Sequence, residues 1–371
     1  MSDTPDPVYL EILPYKIAQA GLDALQRMER VAVSTARVPC EGIGLNRVYD
    51  LDAPPLGDVL KEDWRPAKPE LTDTQCRVIR FDDESGRLKG FMAYFGCHPV
   101  VCCHMSRYLH GDYPAIAIHH LMRQFPGSVG LFLQGADGDV NTCVVHKPEQ
   151  ESLLALDVVA GRFERAIRQG LQQAEPVSAD SLFSLSGTFE FTTRRSFTRE
   201  YLEARRAEQT ALLHTPDADE TQPHVRQARV NLAGIQSMLD FIKTGAKPVI
   251  AAEIQGIRLG PIEFLGAPFE IMQAIKNEVA AAAQAPFPMV MSHCNGTLGY
   301  APDQASLATH SYASTTVPLI AGRLPYADIH RELVAALLEV DARLSAQANQ
   351  KAPRGQCGRQ GDGPGIRKDP A

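Results

Sequence analysis

The stretch YLEILPYKIAQAGLDALQRM places Ile17, Ala20, Gly21, Ala24, Leu25 and Met28 at helical spacing, which predicts an amphipathic helix near the start of the chain. RVAVSTARVPC reads as a strand, followed by the turn EGIGLNR and a proline-rich loop over 53–70. In QCRVIRFDDESGRLKGFMAYFGCHPVV two alternating runs flank DDESG, whose Asp and Gly suit a tight turn, so a β-hairpin is expected. Its second strand runs straight into His98. AIAIHHLMRQF is a predicted helix, and GLFLQG a short apolar strand that ends in the loop GADGDVN. Further helices are expected over 152–174 and, broken at HTPDADETQP, over 198–243. KPVIAAEIQGIRLGPIEFLGAP reads as a second pair of strands, and PMVMSHCNGTLGY as a strand and turn. Between them EIMQAIKNEVAAAA predicts a helix that starts at Glu270. A helix at about 326–346 closes the fold, and the Gly/Pro-rich tail over 347–371 is expected to be disordered.

Strands and helices alternate, but hairpins interrupt the alternation. The expectation is an α/β fold, a mixed-sheet single large domain with flanking helices and β-hairpins, and not a doubly wound parallel sheet. There is no internal repeat. The length of 371 residues, with 44% hydrophobic and 22% charged residues, matches a folded globular chain. The net charge of -7 and the lack of a basic stripe argue against a nucleic-acid partner. No apolar run reaches the roughly 18 residues that a transmembrane segment needs. MSDTPDPVYLEILPYKI has no signal-peptide pattern, so a cytoplasmic location is expected. The eight cysteines form no CxxC pair and are read as reduced, mostly buried thiols.

Candidate chemistry is concentrated in FGCHPVVCCHMSRYLHGDYP, which holds His98, His104 and His110, Cys97, Cys102 and Cys103, and Asp112. The histidine spacing fits no standard zinc pattern. Cys102 and Cys103, adjacent on a strand, would point to opposite faces. His98 stands out because it ends an apolar strand, where chemistry is commonly placed. GADGDVNT offers Asp137, Asp139 and Asn141 at alternate positions, like the start of a calcium loop. Thr142 and Pro148 occupy the positions where that loop requires Gly and Glu, so calcium is excluded there. An active-site loop and a turn with Asx hydrogen bonds both remain open readings.

The ordered series EGIGLNR, FGCHPVV, HGDYPAIA, LFLQGADGDVN, EIQGIRLGPIEFLGAPFE and NGTLGYAPDQASLATHSY resembles the catalytic domain of the neutral/alkaline, non-lysosomal ceramidase family, in its shorter bacterial branch. The resemblance covers roughly residues 8 to 345. It implies a zinc ion held by two His, a Glu and a Tyr, and hydrolysis of an amide such as the N-acyl bond of ceramide. On this resemblance His98 is the second zinc histidine and Tyr300 the zinc tyrosine. Tyr312 matches a second active-site tyrosine, placed to donate to a developing oxyanion. Asp139 carries over from the amidase loop, with Asn141 in its serine position, and Asp112 lies in a turn similar to the family's S-A/G-D turn; either aspartate would orient or deprotonate water.

Two departures bear on the metal. The HTHS-type segment that carries the first zinc histidine does not occur, so residues 1–346 are expected to be a ceramidase-like catalytic domain lacking its N-terminal segment. Ala267 stands where the resemblance assigns the zinc glutamate. His104, His110, His293 and Glu270 are the available substitutes. The implied function is a zinc-dependent hydrolase acting on a small-molecule or lipid-like N-acyl substrate. The alternatives are a truncated, non-catalytic remnant of the same family and a binding module that keeps the pocket without the chemistry.

Overall fold

In the computed structural model, residues 6–50, 54–102, 109–194, 196–215, 218–219, 222–309 and 311–351 are described. His104 and the tail over 352–371 lie outside them. The strands are β1 (Ala32–Pro39), β2 (Gly44–Asn46), β3 (Gln75–Asp82), β4 (Leu88–Phe95), β5 (Val129–Gln134), β6 (Val140–Thr142), β7 (Glu175–Pro176), β8 (Leu182–Thr192), β9 (Val249–Leu259), β10 (Ile262–Gly266), β11 (Glu270–Ile271), β12 (Phe287–Met291) and β13 (Tyr300–Ala301). The α-helices are α1 (Pro7–Gln26), α2 (Leu56–Val59), α3 (Asp112–Gln124), α4 (Glu149–Gln173), α5 (Arg199–Leu213), α6 (Pro223–Thr244), α7 (Gln273–Ala282), α8 (Gln304–Ala308), α9 (Tyr312–Ala321) and α10 (Ile329–Lys351).

Alternation along the hairpin strands fixes the layering. Val38, Val78 and Ala93 face one way and pack with Phe163 and Leu121 of the α3–α4 layer. Their neighbours Val33, Ile79 and Tyr94 face the other way, onto Ile262, Phe287 and Met289 of a second sheet. The first sheet has the order β5-β4-β3-β1-β7, the second β12-β10-β9-β8. On the far face of the second sheet, Ile254, Leu265 and Val290 pack with Ile275 of α7 and with Leu337 and Val340 of α10. The result is a four-layer stack: helices, sheet, sheet, helices. Polar links also cross the sheet–sheet interface. Tyr94 Oη donates to the Val290 carbonyl at 2.9 Å, and Arg37 and Arg77 donate to the carbonyls of Pro286 and Pro288.

Both sheets are mixed, as expected for this α/β chain. In the first, β4 runs antiparallel to β3 but parallel to β5; in the second, β10 runs antiparallel to β9 but parallel to β12. Each sheet therefore contains one parallel pair, and ligand sites in α/β folds gather beyond the carboxyl ends of such strands.

Three expectations need correction. Glu270 does not start a helix. Its backbone N–H donates to the Gly299 carbonyl at 3.0 Å and it pairs in parallel register with Tyr300, so strand pairing overrides its helical preference and α7 begins at Gln273. The closing helix runs to Lys351, five residues into the expected tail. The amphipathic α1 is present, capped by Asp6 on the N–H groups of Val8 and Tyr9, yet none of its residues is buried. Val8, Tyr9, Ile12, Tyr15 and Ile17 on it are exposed. Among the described residues, no helix is long and apolar enough to cross a membrane.

Candidate active site

Four chemically capable side chains follow the carboxyl ends of four strands. His98 follows β4, Asp137 follows β5, Glu270 follows β10, and His293 follows β12. The two parallel pairs belong to different sheets, and the Ser292 N–H donating to the Gln134 carbonyl at 3.3 Å ties their ends together. The loop after β5 passes so close to β11 that a Cβ on Gly138 would sit 2.6 Å from the Glu270 carbonyl oxygen. Only glycine fits there, and the Gly138 N–H uses the proximity to donate to the Ile271 carbonyl at 2.9 Å.

These loops build a continuous chain of contacts. His98 Nε2 lies 2.9 Å from Glu270 Oε2 and 3.9 Å from Asp137 Oδ2. Asp137 Oδ2 lies 3.1 Å from His293 Nε2. Parallel register sets Tyr300 beside Glu270, and its ring stacks near that of His98, with centroids 6.4 Å apart. The Tyr312 ring meets the Tyr300 ring edge-on at 6.2 Å. Arg47, from the segment after β2, lies over both rings, with Cζ 4.9 Å from the Tyr300 centroid and 5.7 Å from that of Tyr312.

The electrostatics follow from these contacts. Burial alone would lower the His98 pKa, but the Glu270 hydrogen bond and the Asp137 charge outweigh it and hold the imidazole above its usual value. Burial pushes Glu270 up, while hydrogen bonds from His98 and Tyr300 bring it below the ordinary glutamate value. The hydrogen bond to Asp137 raises His293. Burial raises the phenols of Tyr300 and Tyr312. His98 Nδ1 lies 3.1 Å from the Val140 carbonyl, which can only accept, so Nδ1 carries a proton. Nε2 is then the ring's one position for either a proton shared with Glu270 or a metal.

The remaining sequence-derived candidates have other surroundings. Asp139 is buried, and its carboxylate accepts from Asn46 Nδ2 and from the Gln273 N–H, both at 2.8 Å. Burial is the main reason its pKa is raised to about 6. It clamps β2 to the start of α7; the aspartate that reaches His98 is Asp137. Asn141 lies on β6 opposite Leu45 and lines a cavity of about 720 Å³ together with Arg47, Met272 and Tyr312. Asp112 is buried at the start of α3 with φ 54°, and accepts from the N–H groups of Val101, Cys102 and Tyr113. That engagement gives it a structural task and leaves it outside the contact chain at His98.

Among the described residues, Cys102, His110 and Asp112 bring donor atoms within 4.8 Å of one another. His110 Nδ1 accepts the Asp112 N–H at 3.0 Å, which places the ring proton on Nε2. These bonds make the trio a loop clasp, with both His110 nitrogens occupied by protons or acceptor duty. Ala267 is fully buried in the core with Leu265, Phe269 and Val290, and its methyl group packs where a carboxylate would be desolvated.

In the sequence Asp139 stood out as the catalytic aspartate, Asp137 appeared only within the GADGDVNT run, and Arg47 did not stand out. A signal for Asp137 existed: it is the first acidic residue after the apolar strand GLFLQ, at the same place in its strand–loop unit as His98.

Comparison with models of protein families gives no match, and comparison with curated proteins gives none either. Solved structures do share the fold. The neutral ceramidase from Pseudomonas aeruginosa has a TM-score of 0.58 at 18% identity, over 88% of this chain and 55% of that one. A ceramidase complexed with C2 has a TM-score of 0.58 at 17% identity, over 87% and 55%. The chain thus spans little more than half the length of these structures and has a ceramidase-like fold.

Proposed function

We propose that this chain is a zinc-dependent hydrolase of the ceramidase type that cleaves an N-acyl amide bond. The observation that carries the reading is the meeting of three side chains from separate segments: His98 is hydrogen-bonded to Glu270, Tyr300 pairs beside Glu270 and stacks near His98 with ring centroids 6.4 Å apart, and Asp137 lies alongside. Imidazole, carboxylate and phenol are a donor set that suits zinc. Asp137 Oδ1 adds to the fit: it is buried and has no hydrogen-bond partner among the described residues, an expensive condition unless a cation or a water compensates it. His98, Glu270 and Tyr300 would hold the ion, with Asp137 next to it. Glu270 thereby takes the role that the sequence resemblance gives to position 267.

Zinc in such a place supplies a Lewis acid that polarises an amide carbonyl and acidifies water. The protein's own groups do the rest. The Val140 carbonyl fixes the His98 ring through Nδ1. Asp137, bridged to His293, is the nearest base for a water proton, and His293 is placed to pass that proton on. Tyr312 supplies a donor on the cavity side, where charge would develop on the amide oxygen.

The observation that favours a non-catalytic relative is the buried Ala267. A panel of chromogenic N-acyl amides, assayed with zinc and then with a chelator, separates the two readings. Turnover that the chelator stops and Glu270→Gln removes is expected; turnover indifferent to both would end the zinc reading.

A further inference from the structure

The cavity beside Tyr300 has an uneven chemical lining. Arg47 supplies a permanent cation, His146 an imidazole, and Asn141, Thr309 and Ser311 neutral polar groups. No carboxylate lines it among the described residues. Val48, Met272 and Ala313, with the Tyr312 ring, form its apolar part. At about 720 Å³ it has the size of a pocket for one small amphipathic molecule.

Arg47 is held rigidly but is not used up. Its backbone N–H donates to the Asp139 carbonyl at 2.9 Å, and the preceding Asn46 is tied to the Asp139 carboxylate. One guanidinium nitrogen donates to the Gly138 carbonyl at 2.7 Å, and the group rests on the Tyr300 ring, with Cζ 4.9 Å from its centroid. A guanidinium offers five N–H donors, so donors remain for a ligand. No carboxylate pairs with it among the described residues, although planar bidentate pairing with a carboxylate is what this group does best. The guanidinium lies over the ring of Tyr300, which pairs beside Glu270 and stacks near His98. Whatever Arg47 binds is therefore close to the bond being cleaved.

We propose that the site selects N-acyl compounds bearing a carboxylate on the carbon attached to the amide nitrogen, that is N-acyl amino acids, with Arg47 as the specificity-determining residue. The inference rests on the hydrolase reading above and deepens it. An α-carboxylate is the anion that lies nearest the scissile bond in an acylated amine, which matches the distance between Arg47 and Tyr300. The apolar wall takes a single acyl chain. In the reaction, water oxygen bonds to the acyl carbon, the C–N bond breaks, and the departing nitrogen takes a proton. The products are a carboxylic acid and a free amino acid.

The test uses a matched pair, N-lauroylglycine and N-lauroylglycinamide, which differ only in the carboxylate. Binding to the zinc-loaded wild-type protein is measured by calorimetry, and hydrolysis by amine release. The acid is expected to bind about tenfold or more tightly than the amide, the scale of a charge-assisted hydrogen bond. Arg47→Gln should bring the two ligands to equal affinity while leaving the affinity for the glycinamide in place, which also reports that the variant is folded. Arg47→Lys should retain part of the preference. Equal binding of the pair by the wild type, or a preference that survives Arg47→Gln, overturns the proposal. Selective binding without turnover of either compound supports the carboxylate site and counts against the hydrolase reading. Turnover of both without selection does the reverse.

Discussion

Glu263 offers a test of how the second sheet meets α10. It lies on β10 with its side chain fully buried, and Arg258 Nη1 is 3.5 Å from Oε2. Oε1 has no donor. The neighbouring acidic group is Asp341, whose two oxygens already accept the N–H groups of Gln284 and Ala285 at 2.9 and 3.1 Å. Two carboxylates cannot bond each other without a proton. Burial first, then the hydrogen bond with Asp341 and its charge, raise the Glu263 pKa from 4.5 to about 8. The folded chain therefore holds a proton that the unfolded chain releases near pH 4.5. Its stabilising effect is complete below pH 4.5 and is lost as pH rises through about 8. A gap of about 3.5 between the two values, at about 1.4 kcal/mol each, makes this on the order of 4–5 kcal/mol. Glu263→Gln keeps the donor to Asp341 and removes the titration. Urea midpoints from pH 5 to 9 should agree for wild type and variant at the acid end. Above pH 8 the variant should be the more stable. Parallel curves for the two proteins across the whole range would refute the argument.

Other consequences are as specific. Phe163 is fully buried against the rings of Phe95, Tyr113 and Phe132, with centroids 5.5, 5.4 and 5.8 Å away, so Phe163→Ala should cost about 3–5 kcal/mol in a urea titration. Gly234 of α6 lies against α9, where an added Cβ would overlap the Leu319 carbonyl oxygen. Gly234→Ala should lower the melting temperature despite alanine's better helix propensity, and a rise would refute the packing of these helices. Lys276 and Asp73 form a buried pair at 3.3 Å, with Asp73 also accepting the Gly96 N–H. Lys276→Met leaves the carboxylate buried and unpaired, and should cost about 3–5 kcal/mol, whereas the double variant Lys276→Met with Asp73→Asn should recover much of it.

The layered fold was legible in the chain to the extent that alternation was strict. QCRVIRF and GFMAYF declare both a hairpin and its two faces, because Val78 and Ile79 are both buried, one against helices and one against a sheet. That the second face met another sheet was not legible, since a local pattern says that a face is apolar but not what covers it. The site was partly legible. His98 stood out at a strand end, and Tyr300 through the family resemblance. Glu270 was obscured because EIMQAIKNEV has helical composition, and the two-residue pairing with Tyr300 that fixes its direction is a long-range event. Asp137 and His293 each follow an apolar strand, but their convergence depends on two sheets meeting at their carboxyl ends. For α1 the pattern was legible and the packing was not, because its apolar positions are exposed among the described residues.

We propose that His98, Glu270 and Tyr300 hold a zinc ion. Elemental analysis of the purified, dialysed protein addresses it directly, with His98→Ala, Glu270→Ala and Cys102→Ser alongside. About one zinc per chain is expected in the wild type and in Cys102→Ser, with loss of that zinc in both His98→Ala and Glu270→Ala. A folded wild-type protein without zinc, or zinc that stays when His98 and Glu270 are removed, would contradict it.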